Sequence, residues 1–323
     1  MTDTTPKQRP TPLTVLGGFL GAGKTTLLNR LLRDGQRYAV LVNDFGDVNV
    51  DASLIRSSDG LTMQLENGCI CCSLVDGFTS ALERVLDQSP RPLAIIVEAS
   101  GVGDPWRIAE FAMVEPTLTL GSVVGMIDAP EFLRQLEDPL IGDTVASQLR
   151  RADLILLNKV DLCDAATVDA VQQRVRELIP GVRLVPCSHA EVPDELILVT
   201  EDREEGSGGG LRPPVSHDHA RHDDQFRRYT FRSAAALERA RLESALDALP
   251  PAVLRVKGVC RLTDSDAPWL VQVVGRRRAI TPLPEGARPL AEGTVLSLIG
   301  TVDLPPEEVL EGQLAAARAE GSG

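Results

Sequence analysis

Residues 18–25 read Gly18-Phe19-Leu20-Gly21-Ala22-Gly23-Lys24-Thr25. They meet every fixed position of the phosphate-loop pattern G-x-x-x-x-G-K-[ST]. Glycines let the main chain close around phosphate oxygens, and successive N–H groups then point inward as an anion nest. A helix that opens at the loop adds partial positive charge. Lys24 is the group that reaches the β- and γ-phosphates, and the Thr25 hydroxyl suits Mg²⁺. The nucleotide cradle is expected over Gly21, Ala22, Gly23, Lys24, Thr25 and Thr26.

Asn158-Lys159-Val160-Asp161 follows an apolar run, Leu154 to Leu157. A carboxylate at Asp161 can accept from both N1–H and the exocyclic amine of guanine. Adenine offers no such donor pair, so an ATP-loaded site would leave the carboxylate unpaired. Asn158 and Lys159 would support that loop and flank the base. Ser188, in Pro186-Cys187-Ser188-His189-Ala190, either contacts the base edge or lies in an ordinary loop. Leu93 to Val97 ends in Glu98-Ala99-Ser100-Gly101. An acid at the end of a buried strand near a phosphate loop belongs to a magnesium shell or to the attacking water. Gly101 lets its own N–H approach the γ-phosphate. In Asn43-Asp44-Phe45-Gly46-Asp47, the carboxylates either address Mg²⁺ or a second metal, or form a solvated acidic turn. The expected catalytic set is Lys24, Glu98 and Asp44.

Asn67-Gly68-Cys69-Ile70-Cys71-Cys72 gathers three thiols in one short segment. Thiolates are favoured near a helix start and by a bound cation. They suit Zn²⁺, with Zn–S distances of about 2.3 Å. Four residues hardly close a tetrahedron, so Asp47, water or a partner would complete the shell and favour exchange. Buried small side chains or a redox pair are the alternatives. Cys163, Cys187 and Cys260 are isolated and read as structural. His217, His219 and His222 stand among aspartates, where they collect metal loosely or simply belong to a solvated stretch.

The elements that must position these residues are legible as alternation. Apolar runs at Leu13–Leu16, Tyr38–Val42, Leu61–Leu65, Leu93–Val97, Val123–Ile127, Leu154–Leu157 and Val182–Val185 alternate with amphipathic stretches. Those stretches include Thr25–Arg33, Leu74–Leu86 and Ala165–Leu178. The expected fold class is α/β, with a mostly parallel, helix-flanked sheet over residues 12–200. Residues 1–11 read as a flexible tail and 201–225 as an acidic, Gly- and His-bearing linker. A smaller α+β domain is expected over 226–317, then a tail at 318–323. Its strands would be Arg228–Phe231, Val253–Arg261, Trp269–Val274 and Thr294–Ile299, with helices at Ala235–Leu249 and Pro305–Ala317.

The chain has 323 residues, 43% hydrophobic and 24% charged, which excludes a wholly disordered polymer. A net charge of -13 and only 3% aromatics argue against nucleic acid and anionic membranes as partners. The polar N-terminus has no signal-peptide h-region, and no apolar run approaches the roughly 18 residues of a membrane span. A cytoplasmic location and unpaired cysteines are expected.

These motifs, taken in order, resemble the CobW family of P-loop GTPases, which includes zinc chaperones. The resemblance rests on Gly17–Thr26, Asn67–Cys72, Glu98–Gly101 and Asn158–Asp161, then Leu249–Gly258 and Val274–Arg277. It implies GTP hydrolysis, Zn²⁺ or Co²⁺ at the Cys-x-Cys-Cys motif, and delivery of the metal to client proteins through the second domain. One departure stands out: Asp44 and Asp47 replace the family's usual glutamates, a methylene shorter. With no evident arginine finger, intrinsic turnover should be slow. A monomer or weak homodimer is expected. The rival functions are a cobalamin-biosynthesis or nitrile-hydratase-activator type of metal-insertion GTPase, an ATP-using small-molecule kinase, and a non-enzymatic metal buffer.

Overall fold

The computed structural model describes residues 10–33, 37–42, 61–64, 74–199, 226–283 and 293–319. The side chains of 61–64 and 74–77 are not among what it describes. By its internal contacts the chain divides into two compact units. One is Met1–Pro180 with Pro186–Arg203, and the other is Glu204–Gly323 with Gly181–Val185.

The larger sheet contains β1 (Thr11–Gly18), β2 (Tyr38–Val42), β3 (Leu61–Gln64), β4 (Ala94–Glu98), β5 (Leu118–Asp128), β6 (Leu154–Asn158) and β7 (Arg183–Pro186). Its order is β3-β2-β4-β1-β5-β6-β7. The ladders β2–β3, β2–β4, β1–β4, β1–β5 and β5–β6 are all parallel. The strand bodies are apolar because helices cover both faces, as a parallel sheet requires. The expected runs at 38–42, 61–65 and 154–157 match their strands to within a residue.

The flanking helices are α1 (Lys24–Leu31), α2 (Leu74–Leu86), α3 (Pro105–Val114), α4 (Phe132–Glu137), α5 (Gly142–Leu149), α6 (Ala165–Leu178) and the short α7 (Asp194–Ile197). Helix α1 docks Leu27, Leu28 and Leu31, all fully buried. On the other side of the core, α2 supplies Phe78, Leu82 and Val85 against Leu13, Val15, Leu41, Ile95 and Val97. Phe78 meets Phe111 of α3 edge-to-face, with centroids 5.0 Å apart. Truncating Leu82 to Ala here would cost about 2–5 kcal/mol.

Three helices, α3 to α5, extend the expected pattern. The start of α3 carries a sequence signal: Asp104 caps it by accepting from Trp106 N at 2.9 Å, and Pro105 occupies its first turn.

The second unit holds β8 (Phe226–Ser233), β9 (Val253–Cys260), β10 (Trp269–Val274), β11 (Arg277–Pro282) and β12 (Thr294–Thr301), ordered β11-β10-β9-β12-β8. Its ladders are antiparallel. Helices α8 (Arg239–Asp247) and α9 (Glu307–Ala315) contribute Leu242, Leu246, Leu310 and Leu314 to a core with Phe231, Val256, Val271 and Leu298. Strand β11 was not expected. It has no fully buried residue, so it lacks the apolar run that reveals a strand in sequence.

Candidate nucleotide site

In a parallel sheet, ligands sit beyond the carboxyl ends of the strands, where the strand order reverses. Here β1 lies between β4 and β5 at that reversal. The motifs among the described residues occupy such ends. The phosphate loop follows β1, Glu98 ends β4, Asp128 ends β5, Asn158 ends β6, and Cys187–Ala190 follow β7.

The loop's backbone explains its glycines. Gly21 and Gly23 have φ of 82° and 104°, a region L side chains rarely adopt. A Cβ on Gly23 would stand 2.3 Å from Asn158 Nδ2. A Cβ on Gly21 would meet only Asp128 Oδ2, at 3.8 Å. The loop is therefore tight against β6 at one glycine and open at the other. Lys24 is 7% exposed, donates to Gly18 O at 2.9 Å and lies 3.9 Å from Glu98 Oε1. Glu98 is 3% exposed. A carboxylate this deep beside the loop's lysine fits the donor chemistry of a Mg²⁺ shell, as does the Thr25 hydroxyl next in sequence. Ala22 is buried, and Thr26 lies in the first turn of α1.

Asn158 is a joint. Its Nδ2 donates to Ala22 O and its Oδ1 accepts from Ala190 N, both at 2.9 Å. It is 2% exposed. Both ends of the amide are thus committed to main chain. Lys159 has φ 64° and places its ammonium 2.6 Å from Asp128 Oδ2. That pairing fixes the lysine stem, which is the part able to lie along a base. Asp161 is half-exposed. A hydrogen bond from the Ser188 side chain holds its carboxyl below the usual range, so it stays an acceptor. Ser188, which the sequence left between a base-edge contact and an ordinary loop, here bonds Asp161. His189 and Ala190 follow with φ of 52° and 56°, a strained pair at the same strand end.

Asp128 was not anticipated. Its signal was present: an acid closing the buried run Met126-Ile127, the same pattern that drew attention to Glu98. Gly101 lies against the phosphate loop, since a Cβ there would stand 2.5 Å from Leu20 Cδ2.

Asp44, Asp47, Cys69, Cys71, Cys72 and the three linker histidines lie outside the described residues. Among the described residues no group of three or more His, Cys, Asp or Glu is placed to hold a metal ion. Burial pushes the Cys187 and Cys260 thiols up to about 12, which fits structural packing. Cys163 is raised in the same way.

Comparison with known proteins settles the family. The description "CobW/HypB/UreG, nucleotide-binding domain" matches residues 12–186. The chain belongs to the CobW/HypB/UreG family of P-loop GTPases. A second match, to the cobalamin synthesis protein cobW C-terminal domain, covers residues 226–318. Within this family the chain is 29% identical over 321 residues to the protein named zinc chaperone CobW from a Sinorhizobium species, spanning 86% of this chain and 89% of that one. It is 28% identical over 305 residues to the zinc chaperone CobW of Pseudomonas aeruginosa, spanning 82% and 81%. It is 32% identical over 201 residues to the zinc chaperone YjiA of Escherichia coli K12, spanning 59% and 62%.

Proposed function

We propose that this CobW-family chain binds and hydrolyses GTP and, as a metallochaperone, takes Zn²⁺ at Cys69, Cys71 and Cys72 and hands it to client proteins. Its relatives named zinc chaperones support the cargo.

GTP and Zn²⁺ would then bind with coupled free energies, and one observation supports that coupling. Gln64 pairs with Val42, Val42 with Glu98, and Glu98 with Leu16, so four strands align these residues in a single row. At about 4.8 Å per strand the row is about 14 Å long. The cysteine segment follows Gln64 in the chain, Asp44 and Asp47 follow Val42, and the phosphate loop follows Leu16. Events at the γ-phosphate therefore have a short, stiff route to the strand end that the thiol-bearing segment follows in the chain.

In this reading the main chain of Gly21–Thr26 and the Lys24 ammonium bind the phosphates, and Gly101 N–H approaches the γ-phosphate. Thr25 and Glu98 would hold Mg²⁺, which offsets charge on the transferred phosphoryl group. Glu98 or Asp44 orients the attacking water. Asp161, kept ionised by Ser188, accepts from guanine, and Lys159 lies along the base. The thiolates hold Zn²⁺ or Co²⁺, with Asp47 completing the shell, and hydrolysis loosens that site. The C-terminal domain meets the client. No described helix is long and apolar enough to cross a membrane. We place the protein in the cytoplasm, as a monomer or weak homodimer.

The test is a competition titration of Zn²⁺, Co²⁺ and Ni²⁺ under reducing conditions, with GTP, with GDP and without nucleotide. Coupling of ordinary size separates the GTP and GDP curves by about five- to 150-fold. Equal metal affinity in all three states removes the coupling. Tighter binding of ATP than of GTP would point to the kinase reading. Full cellular function in a Lys24→Ala variant would point to a plain metal buffer.

A further inference from the structure

Gln148, near the end of α5, is 2% exposed. Its Nε2 donates to Gly101 O at 2.6 Å, across 47 positions of sequence. Its Oε1 is buried and has no hydrogen-bond partner among the described residues. A buried acceptor in this state is costly and calls for a reason. A residue kept for packing alone would be apolar here, since Leu or Met fills a similar volume with no polar atom to satisfy. The side chain is therefore retained for its donor.

What that donor holds is the carbonyl of the glycine that abuts the phosphate loop. The same peptide unit is otherwise tied weakly: Val102 N donates to Ser100 Oγ at 3.4 Å, near the limit for such a bond. The surroundings place Gln148 at the loop's base as well. A Cβ on Gly17 would meet Pro105 Cγ at 2.3 Å and Gln148 O at 3.7 Å. The residue before the phosphate loop thus faces both the start of α3 and the end of α5.

We propose that Gln148 is a positioning residue for the nucleotide. It anchors the Gly101 carbonyl on the α5 side, so that this oxygen does not turn toward the triphosphate, whose oxygens would repel it. Holding that peptide plane limits rotation about Gly101 Cα, so the Gly101 N–H of the preceding plane keeps its aim at the γ-phosphate. The inference rests on the GTP reading above and adds a determinant of GTP over GDP within it. GDP lacks the γ-phosphate and gains nothing from the latch.

The test compares the full-length protein with Gln148→Met and Gln148→Glu variants. Binding of GDP and of the non-hydrolysable guanosine 5′-(β,γ-imido)triphosphate is measured by calorimetry with Mg²⁺, and stability by urea unfolding. In Q148M the orphaned Oε1 is gone but Gly101 O loses its donor, and the two changes oppose one another, so stability stays close to that of the wild type. Triphosphate affinity falls by about two- to tenfold, the reach of one hydrogen bond, while GDP affinity holds. In Q148E the buried carboxyl donates to Gly101 O only when protonated, so the triphosphate preference returns as pH is lowered. A Q148M protein that loses both nucleotides equally makes Gln148 an ordinary core residue and overturns the proposal. So does an unchanged triphosphate-to-GDP ratio, or a Q148E ratio indifferent to pH. Wild-type protein that prefers ATP would instead overturn the underlying GTP reading.

Discussion

Asn158→Ala isolates the joint between the phosphate loop and the base-side loop. The substitution strands two buried main-chain groups, Ala22 O and Ala190 N, each held at 2.9 Å by the asparagine amide. Ala22 is 1% exposed and Ala190 fully buried, so water does not replace the lost partner without rearrangement. An unsatisfied buried group costs about 1–3 kcal/mol. Two of them give about 2–6 kcal/mol, a large share of a domain's stability. The chain has two tryptophans, Trp106 in the first unit and Trp269 in the second. A Trp269→Phe background therefore reports unfolding of the nucleotide-binding unit alone, by fluorescence in urea without nucleotide. The midpoint should fall with little change in slope. Asn158→Asp sharpens the result. It keeps the acceptor for Ala190 N but faces a second oxygen toward Ala22 O. Its penalty should shrink at low pH, where a protonated carboxyl can donate. A loss below about 0.5 kcal/mol in Asn158→Ala, or the same penalty for Asn158→Asp at every pH, refutes the claim that this amide ties the two loops.

Asp161→Asn should raise the Kd for GTP by about a hundredfold or more while improving XTP, whose C2 oxygen can accept from the new amide; parallel calorimetric titrations of both nucleotides check this. Because Ser188 lowers the Asp161 carboxyl, base recognition stays constant above the ordinary carboxylate range and is lost only as pH falls through the depressed value. Measuring GTP affinity from pH 5 to 8 should therefore show no titration from this group. Asp128→Asn frees the Lys159 ammonium from its 2.6 Å partner and should weaken GTP by about three- to tenfold, with stability followed in the same samples. Cys187 and Cys260, raised to about 12 by burial, should resist iodoacetamide at pH 8 in the folded protein and react only on unfolding, as mass mapping would show.

Local chemistry and periodicity settle a great deal from the chain alone. The phosphate loop needs glycine at Gly21 and Gly23 because the backbone there has positive φ, and only a short stretch of neighbours is required to see it. The buried strands Tyr38–Val42 and Leu154–Asn158 declare themselves as unbroken apolar runs, and α2 and α6 by their helical period. The base-side carboxylate, Asp161, follows from its place after such a run.

Tertiary structure decided what depends on contacts between distant residues. No spacing reveals that Asn158 spends both ends of its amide on Ala22 and Ala190, that Asp128 holds Lys159, or that Gln148 reaches Gly101. A glutamine or an asparagine has no signature of its own. Its meaning comes from the groups that folding brings within three ångströms of it, and those groups are chosen by strand order. The sequence by itself therefore determined which residue types could do the chemistry. The sheet decided which of them meet at the strand ends around the phosphate loop and which hold the others in place.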